Sequence, residues 1–210
     1  MADLSVLNKA AGLDARNVDA NPIRLFQLWF DEAMGRSLPL AEAMTLCTAT
    51  ADGKPSARMV LLKGVAASGF VFYTNYRSRK ARELDANPFA ALVFYWEPLE
   101  RQVRVEGKVA RISADESDKY FQTRPRESQL GAIVSPQSDV IESREVLEQE
   151  LQELEERHSD RTIERPAHWG GYRLVPERIE FWKGRPGRLH DRLLYELQAD
   201  GSWKRSRLAP

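Results

Sequence analysis

The sequence is poor in the residues from which disulfide frameworks and metal sites are built. It has one cysteine, Cys47, and three histidines among 210 residues. A single cysteine excludes an intrachain disulfide and is typical of proteins that work in a reducing compartment. No cysteines and histidines stand at the spacing of metal ligands, so we predict no metal site.

Long apolar runs and an excess of one charge are also missing. No apolar stretch approaches the length of a membrane span, and the N-terminus lacks the layout of a signal peptide. Lys and Arg together number 31, as do Asp and Glu, so the formal net charge is 0. This balance argues against nucleic acid and membranes as partners, and any basic site must be local. We therefore expect a cytoplasmic protein.

The common sequence signatures of catalysis are absent as well. There is no GxGxxG or GxxxxGK loop and no GxSxG nucleophile elbow. Basic and aromatic residues are plentiful, but no nucleophile or acid–base pair stands out. That combination favours an enzyme whose cofactor performs the chemistry while the protein binds and orients the reactants.

The length and the patterning predict one domain with an N-terminal arm. Residues 1–20 are weakly patterned and are expected to be mobile, whereas residues 21–210 are long enough to bury a sizeable core. Asn21 and Pro22 predict the N-cap and first residue of a helix over 22–35, with Gly35 as its natural end.

Alternation of apolar and polar residues predicts a mainly β fold. Asp52-Gly53 and Asp200-Gly201 are hairpin signals, the former expected to have positive φ at both positions. The predicted strands cover residues 43–51, 54–63, 70–75, 89–96, 100–112, 169–175, 178–184, 188–198 and 203–210. Strands with one apolar face and short turns indicate an antiparallel β-barrel flanked by helices, an α+β fold.

The remaining helices are predicted over residues 78–87, 113–124, 125–135 and 143–158. In the last of these, Leu147, Leu151 and Leu154 form a narrow apolar stripe on a highly charged cylinder. A solvated surface helix is the favoured interpretation, and a dimer seam is the alternative.

The stretch 56–80 concentrates groups that bind phosphate. Helix N-termini attract anions, and cations there are unfavourable unless an anion is bound. The groups are Arg58 and Lys63 on one strand, Tyr73 and Thr74 on the next, and Ser78, Arg79 and Lys80 at a helix start. The alternative is a solvated basic cluster.

The spacing of Arg58 and Lys63 raises a problem of parity. Residues five apart on a regular strand point to opposite faces. Either the strand ends or bulges before Lys63, or the two residues serve different sites.

Two other groups of side chains are candidates for a binding site. Tyr120, Arg124 and Ser128 are spaced by four, although Pro125 interrupts the helix and surface decoration is the alternative. A second group, Arg188, His190 and Arg192, would form one basic face of a strand. Such a row repels itself unless an anion or an aromatic ring lies against it, so we interpret it as functional.

Several motifs together resemble the pyridoxamine 5′-phosphate oxidase family. They are RMVLLK (58–63), FYTN (72–75), SRK (78–80), ERQVRVEG (100–107), YFQTRPRESQ (120–129), QS (137–138), WGGYR (169–173), IEFW (179–182), RLHDR (188–192) and RLAP (207–210). The resemblance covers residues 21–210 and implies a homodimeric split barrel that binds FMN at the subunit interface.

The resemblance also implies roles for individual residues. FMN would contact Arg58, Met59, Val60, Leu61, Leu62, Lys63, Tyr73, Thr74, Arg79, Lys80, Gln102, Gln137, Ser138, Trp182 and Arg192, several of them from the second subunit. Lys63, Tyr120, Arg124 and Ser128 would hold the substrate phosphate. Arg188 and His190 would be the catalytic pair above the pyridine ring.

The implied reaction belongs to vitamin B6 metabolism. Pyridoxamine 5′-phosphate or pyridoxine 5′-phosphate would lose hydride from C4′ to flavin N5, giving pyridoxal 5′-phosphate, with ammonia from the amine. Dioxygen would reoxidise the flavin and yield hydrogen peroxide. The alternatives are a sister flavoenzyme acting on another substrate, such as a phenazine precursor, and a non-catalytic carrier of pyridoxal phosphate.

Overall fold

The computed structural model describes residues 12–14, 16–158 and 161–210. Its helices are α1 (Pro22–Gly35), α2 (Arg79–Ala86), α3 (Ala114–Thr123), α4 (Arg126–Val134) and α5 (Arg144–His158). Its strands are β1 (Ala43–Ala49), β2 (Pro55–Leu61), β3 (Gly64–Ala66), β4 (Gly69–Asn75), β5 (Phe89–Trp96), β6 (Arg101–Arg111), β7 (Trp169–Lys183), β8 (Asp191–Leu197) and β9 (Trp203–Leu208). The α+β class predicted from the sequence is confirmed.

All strand pairs form one antiparallel sheet in the order β2-β1-β5-β6-β7-β4-β3, with β8 on β7 and β9 on β8. In the part of the chain that the structure describes, β2 pairs only with β1 and β3 only with β4. Hydrogen bonding therefore leaves the curled sheet open between these edges. The barrel is split rather than closed.

The predicted strands over 169–175 and 178–184 are a single strand, β7. The register against β6 shifts between Glu106 and Gly107, opposite Pro176. A bulge is where a strand tolerates proline, which has no N–H to donate. Gly107 is required there, because a Cβ atom would lie 2.0 Å from the Val175 carbonyl oxygen. The bulge thus allows β7 to continue through Pro176 as one strand of the sheet.

The β1–β2 turn is longer than the two-residue hairpin predicted from Asp52-Gly53. The Thr50 amide donates to the Lys54 carbonyl, and the Gly53 amide donates to the Thr50 carbonyl. Among the residues of this turn, only Gly53 has positive φ, at 86°. The loop therefore spans Thr50 to Lys54, with glycine at its one left-handed position.

The inner face of the sheet packs on α1. The Asn21 side chain caps α1 by accepting from the Ile23 amide, as predicted. Phe26 is fully buried, with its ring 4.9 Å from those of Phe70 and Phe94. Trp29 meets Phe181 edge-on at 5.2 Å. The helix thus closes one end of the main core.

A second, smaller core lies under α3, α4 and α5. Phe121, Leu130, Leu154 and Trp169 are buried there, and Leu151 packs against them. Leu151 and Leu154 of the leucine stripe therefore face this core, and the charged faces of α5 are exposed. This arrangement fits the favoured interpretation of α5 as a surface helix.

The predicted N-terminal arm lies partly outside the described residues, namely at positions 1–11 and 15. The described part contacts β8 and β9: the Leu13 amide donates to Asp191 Oδ2 at 3.1 Å, and the Tyr195 hydroxyl donates to the Asp19 carbonyl at 2.7 Å. Within the described residues no helix is long and apolar enough to cross a membrane.

Candidate active site

A cavity of about 480 Å³ opens where the barrel is split. One wall is the end of β2, the opposite wall is the end of β4 with Lys80 of α2, and the α3–α4 corner forms a third side. Its lining residues are Arg58, Met59, Val60, Leu61, Lys63, Tyr73, Thr74, Lys80, Tyr120, Thr123, Arg124, Pro125, Ser128, Gln137 and Trp169. The cavity thus unites residues from segments far apart in the chain.

The parity problem of Arg58 and Lys63 is resolved by the end of β2. The strand ends at Leu61, and Leu62 turns into the core, where it is buried. Lys63 follows this break, so both basic residues line the same cavity. The first of the two alternatives is therefore correct.

Lys80 is a buried cation with neutral partners. Its side chain is 8% exposed, and Nζ donates to Gln137 Oε1 at 2.8 Å and to Thr74 Oγ1 at 3.2 Å. No carboxylate of the described residues lies within ion-pair distance of it. Burial, reinforced by the charge of Arg58, lowers the pKa of Lys80 to about 8. A bound anion would restore the stability of its charged form.

Arg58 and Arg79 are instead held by a buried carboxylate, Glu83. Glu83 is 5% exposed; its Oε1 accepts from Arg79 Nε at 2.8 Å, and its Oε2 lies 3.3 Å from Arg58 Nη2. The hydroxyls of Thr48 and Ser56 also donate to Oε2. Burial opposes ionisation, but the hydrogen bonds from Ser56, Thr48 and Arg79 and the charge of Arg58 outweigh it and lower the pKa of Glu83 to about 2.

This arrangement changes the expectation for the start of α2. Ser78 caps the helix, accepting from the Ala81 amide, and the Arg79 amide donates to Ser138 Oγ at 3.1 Å. Arg79, Ser138 and the buried Leu62 do not line the cavity. Of the three basic residues Arg58, Arg79 and Lys80, only Arg58 and Lys80 line the cavity.

Stacked aromatic rings form the wall beside α3. Tyr73 stacks on Tyr120 at 3.9 Å and on Trp169 at 5.2 Å. This stack requires Gly171, because a Cβ there would lie 2.9 Å from Tyr73 Cε1 and 2.4 Å from Ile112 Cδ1.

Arg124 lies against this wall with an unsatisfied polar atom. The guanidinium carbon is 4.5 Å from the Trp169 ring centroid, and the buried Nη1 has no hydrogen-bond partner. Burial lowers the pKa of Arg124. A buried donor without a partner costs about 1–3 kcal/mol, which an anion in the cavity would offset.

The other predicted site residues form a separate group on the sheet. Gln102, Trp182 and Arg192 are directly paired across β6, β7 and β8. None of them lines the cavity, nor do Arg188 and His190. From the β2 wall of the cavity, Gln102 is three strands away on β6 and Arg192 is five strands away on β8.

The prediction that Arg188, His190 and Arg192 share one face of a strand is wrong. Strand β8 begins at Asp191, and residues 186–188 form a tight turn. Gly187 and Arg188 both have left-handed backbones, with φ of 68° and 60°, which no strand accommodates. Arg188 is exposed, and His190 lies 4.7 Å from the Trp182 ring.

Of these three basic residues, Arg192 is paired with a buried carboxylate. Arg192 donates Nε and Nη2 to the two carboxylate oxygens of Glu180, at 2.8 and 3.1 Å, and Nη1 to the Ala209 carbonyl. Its position on β8 is thereby fixed.

Sequence reasoning did not identify Glu83 and Trp169 as parts of the site. Glu83 stands one helical turn after Arg79, a spacing that could have suggested the pair. Trp169 begins the WGGYR motif, whose two glycines indicate a close approach of the backbone. Thr123 and Pro125 were also missed, and they carry no comparable signal.

Family models match most of the chain. One described as pyridoxamine 5′-phosphate oxidase matches residues 30–158. Another, described as the pyridoxine 5′-phosphate oxidase C-terminal dimerisation region, matches residues 169–210.

Full-length relatives and solved structures agree with these matches. Pyridoxine/pyridoxamine 5′-phosphate oxidases from Rubrobacter xylanophilus and Trichormus variabilis are 60% and 55% identical, covering 95% and 100% of this chain and 92% and 98% of theirs. PhzG from Burkholderia lata, solved with tetrahydrophenazine-1-carboxylic acid, has a TM-score of 0.89 at 32% identity, covering 94% of this chain and 98% of its own. The chain belongs to the pyridoxine/pyridoxamine 5′-phosphate oxidase family, and its sheet is the split barrel of that family.

Proposed function

We propose that this protein is an FMN-dependent oxidase that converts pyridoxamine 5′-phosphate and pyridoxine 5′-phosphate into pyridoxal 5′-phosphate. The observation that carries the proposal is the presence of two separate anion-seeking groups in one cavity. Lys80 on one side is buried, Arg124 on the other is half-buried with a buried Nη1, and neither has a carboxylate partner among the described residues. FMN and the substrate each bring one phosphate, which matches the two groups.

The β2–α2 side of the cavity would hold FMN. Lys80 and Arg58 present charge to its phosphate, and Arg58 is held in place by Glu83. Residues 58–61, Tyr73, Thr74 and Gln137 line the adjoining space, where the ring system would lie. When bound, FMN supplies a two-electron acceptor that dioxygen regenerates, with hydrogen peroxide as the product.

The α3–α4 corner would hold the substrate. Arg124 offers charged donors to the substrate phosphate, and Lys63, Tyr120 and Ser128 line the same space. Anchoring the phosphate fixes the distance of the reacting carbon from the flavin side of the cavity. Holding two bound reactants in the right geometry removes a large part of the activation free energy of the reaction between them.

A second copy of the chain would complete the site. Gln102, Trp182, Arg188, His190 and Arg192 do not line the cavity of their own chain. In a homodimer that joins through the C-terminal region, these residues would meet the cavity of the other subunit. Arg188 and His190 would then orient the pyridine ring, and the exposure of Arg188 leaves it free for this role.

The first experiment is an absorption spectrum of the purified protein during anaerobic titration with pyridoxamine 5′-phosphate. We expect a flavin spectrum that bleaches on addition and returns with air, with one equivalent of hydrogen peroxide formed. A flavin spectrum that pyridoxamine 5′-phosphate leaves unchanged would refute the proposal. Bound pyridoxal phosphate without peroxide would instead identify a carrier.

Arg124→Ala tests the substrate side of the cavity. Loss of a charge-assisted phosphate contact should raise the KM for pyridoxamine 5′-phosphate about 10- to 100-fold. Arg126→Ala is the matched control, because Arg126 is exposed and donates to the Arg161 carbonyl at 3.1 Å. An unchanged KM in Arg124→Ala would place the phosphate elsewhere. Oxidation of a tetrahydrophenazine carboxylate in preference to the phosphorylated substrate would favour a phenazine enzyme, as in the PhzG relative.

A further inference from the structure

The guanidinium of Arg124 is positioned by a ring rather than by a carboxylate. It makes no hydrogen bond or ion pair with any side chain of the described residues, although Nη1 is buried. Its nearest partners are the Trp169 ring, at 4.5 Å, and the Phe121 ring, at 5.7 Å. Arg58, Arg79 and Arg192, in contrast, each contact a carboxylate.

We propose that Trp169 is a positioning residue that holds Arg124 ready for the substrate phosphate and so makes the enzyme selective for phosphorylated substrates. This inference rests on the proposed function. It assigns a role to a residue that contacts phosphate only through Arg124.

The physical reason lies in which part of the guanidinium each partner uses. A carboxylate binds the N–H edge, and that edge is then no longer available to phosphate. An aromatic ring binds the face of the guanidinium and leaves the N–H edge free. Trp169 can therefore fix the long side chain of Arg124 without competing with the substrate.

Trp169 is itself held firmly enough to serve this purpose. It is 6% exposed, stacks on Tyr73 and meets Phe121 edge-on at 5.3 Å. Its carbonyl accepts from Arg165 Nη1 at 2.6 Å, and its amide donates to the Pro166 carbonyl. Arg124, in contrast, follows the last residue of α3 and precedes Pro125, so the helix does not order its side chain.

The test compares Trp169→Leu and Trp169→Phe with two substrates, pyridoxamine 5′-phosphate and phosphate-free pyridoxamine. We expect Trp169→Leu to raise the KM for the phosphorylated substrate about tenfold and to change kcat less than about twofold. Trp169→Phe keeps a ring face and should restore most of the affinity. The kcat/KM for pyridoxamine should stay within about twofold of wild type, because that substrate has no phosphate to misplace.

A double-mutant cycle with Arg124→Ala tests whether the effect of Trp169 on the KM depends on Arg124. If Trp169 acts through Arg124, Trp169→Leu should raise the KM less than about twofold further when Arg124 is already alanine. Trp203→Leu is the matched control, since Trp203 packs on the main core and lies outside the cavity. Flavin absorbance of each variant reports whether the fold and cofactor are retained. Should Trp169→Leu lose its flavin, the cycle is run with Trp169→Phe, where an effect of about twofold on the KM is expected.

Three results would overturn the inference. A KM for pyridoxamine 5′-phosphate that Trp169→Leu leaves unchanged, while Arg124→Ala raises it, refutes the role of Trp169 and leaves the proposed function standing. Equal losses with both substrates would show a structural role only. An unchanged KM in Arg124→Ala would remove the phosphate assignment and this inference together.

Discussion

Lys80→Met should make the FMN-free protein more stable while it weakens FMN binding. In the folded chain the pKa of Lys80 falls from its ordinary value of 10.5 to about 8, because the ammonium is buried without a carboxylate. A depression of this size corresponds to a cost of about 3 kcal/mol at pH 7. The hydrogen bonds to Thr74 and Gln137 offset part of it, so we expect a net gain of about 1–3 kcal/mol in Lys80→Met.

The pH dependence separates this effect from a change in packing. Between pH 8 and 10.5 the unfolded chain keeps a proton on Lys80 that the folded chain has released. The cost is therefore fully present below pH 8, and the stability of wild type rises relative to Lys80→Met as the pH increases. From pH 7 to pH 10 the difference in unfolding free energy should shrink by about 2 kcal/mol.

The assay is urea unfolding of both FMN-free proteins at pH 7 and pH 10, at one protein concentration because a dimer's stability depends on it. With FMN added, the order at pH 7 should reverse, since wild type gains more from the phosphate than Lys80→Met does. A Lys80→Met variant that is less stable at pH 7, or a difference between the two proteins that stays constant with pH, would refute the reasoning.

Three further substitutions test other parts of the site. Glu83→Gln should destabilise the protein by about 2–4 kcal/mol at pH 7. Wild type alone should lose this contribution as the pH falls from about 4.5 towards 2. An equal loss of unfolding free energy in wild type and Glu83→Gln on acid titration would contradict this assignment. Gly171→Ala should cost about 1–3 kcal/mol in thermal unfolding and weaken FMN binding, because its Cβ displaces Tyr73 and Ile112. Arg188→Ala should change stability by less than about 0.5 kcal/mol and retain FMN, as expected for an exposed residue, but lower turnover sharply. Near-normal turnover in Arg188→Ala would remove its catalytic assignment.

Local patterns in the sequence were enough to predict most elements of the fold. The cap at Asn21 and the end of α1 at Gly35 both follow from rules that act over a few residues. The start of α2 beside Arg79 and Lys80 was also predicted from the sequence. Local rules could not predict the bulge opposite Pro176, because the bulge depends on the partner strand, β6.

The same limit applies to the site. The sequence determined which side chains are able to bind two phosphates, since their chemistry and motifs are properties of the chain itself. Only the tertiary structure decided how each is used: Glu83 occupies Arg58 and Arg79, Lys80 is left buried with neutral partners, and Trp169 lies under Arg124. These outcomes depend on burial and on contacts between residues more than 20 positions apart for Arg58–Glu83, Lys80–Gln137 and Arg124–Trp169, which no local pattern encodes. The left-handed turn at Gly187 and Arg188 is the remaining case, because the chain must reverse between the antiparallel strands β7 and β8, and this overrides an alternation of side chains that is typical of a strand.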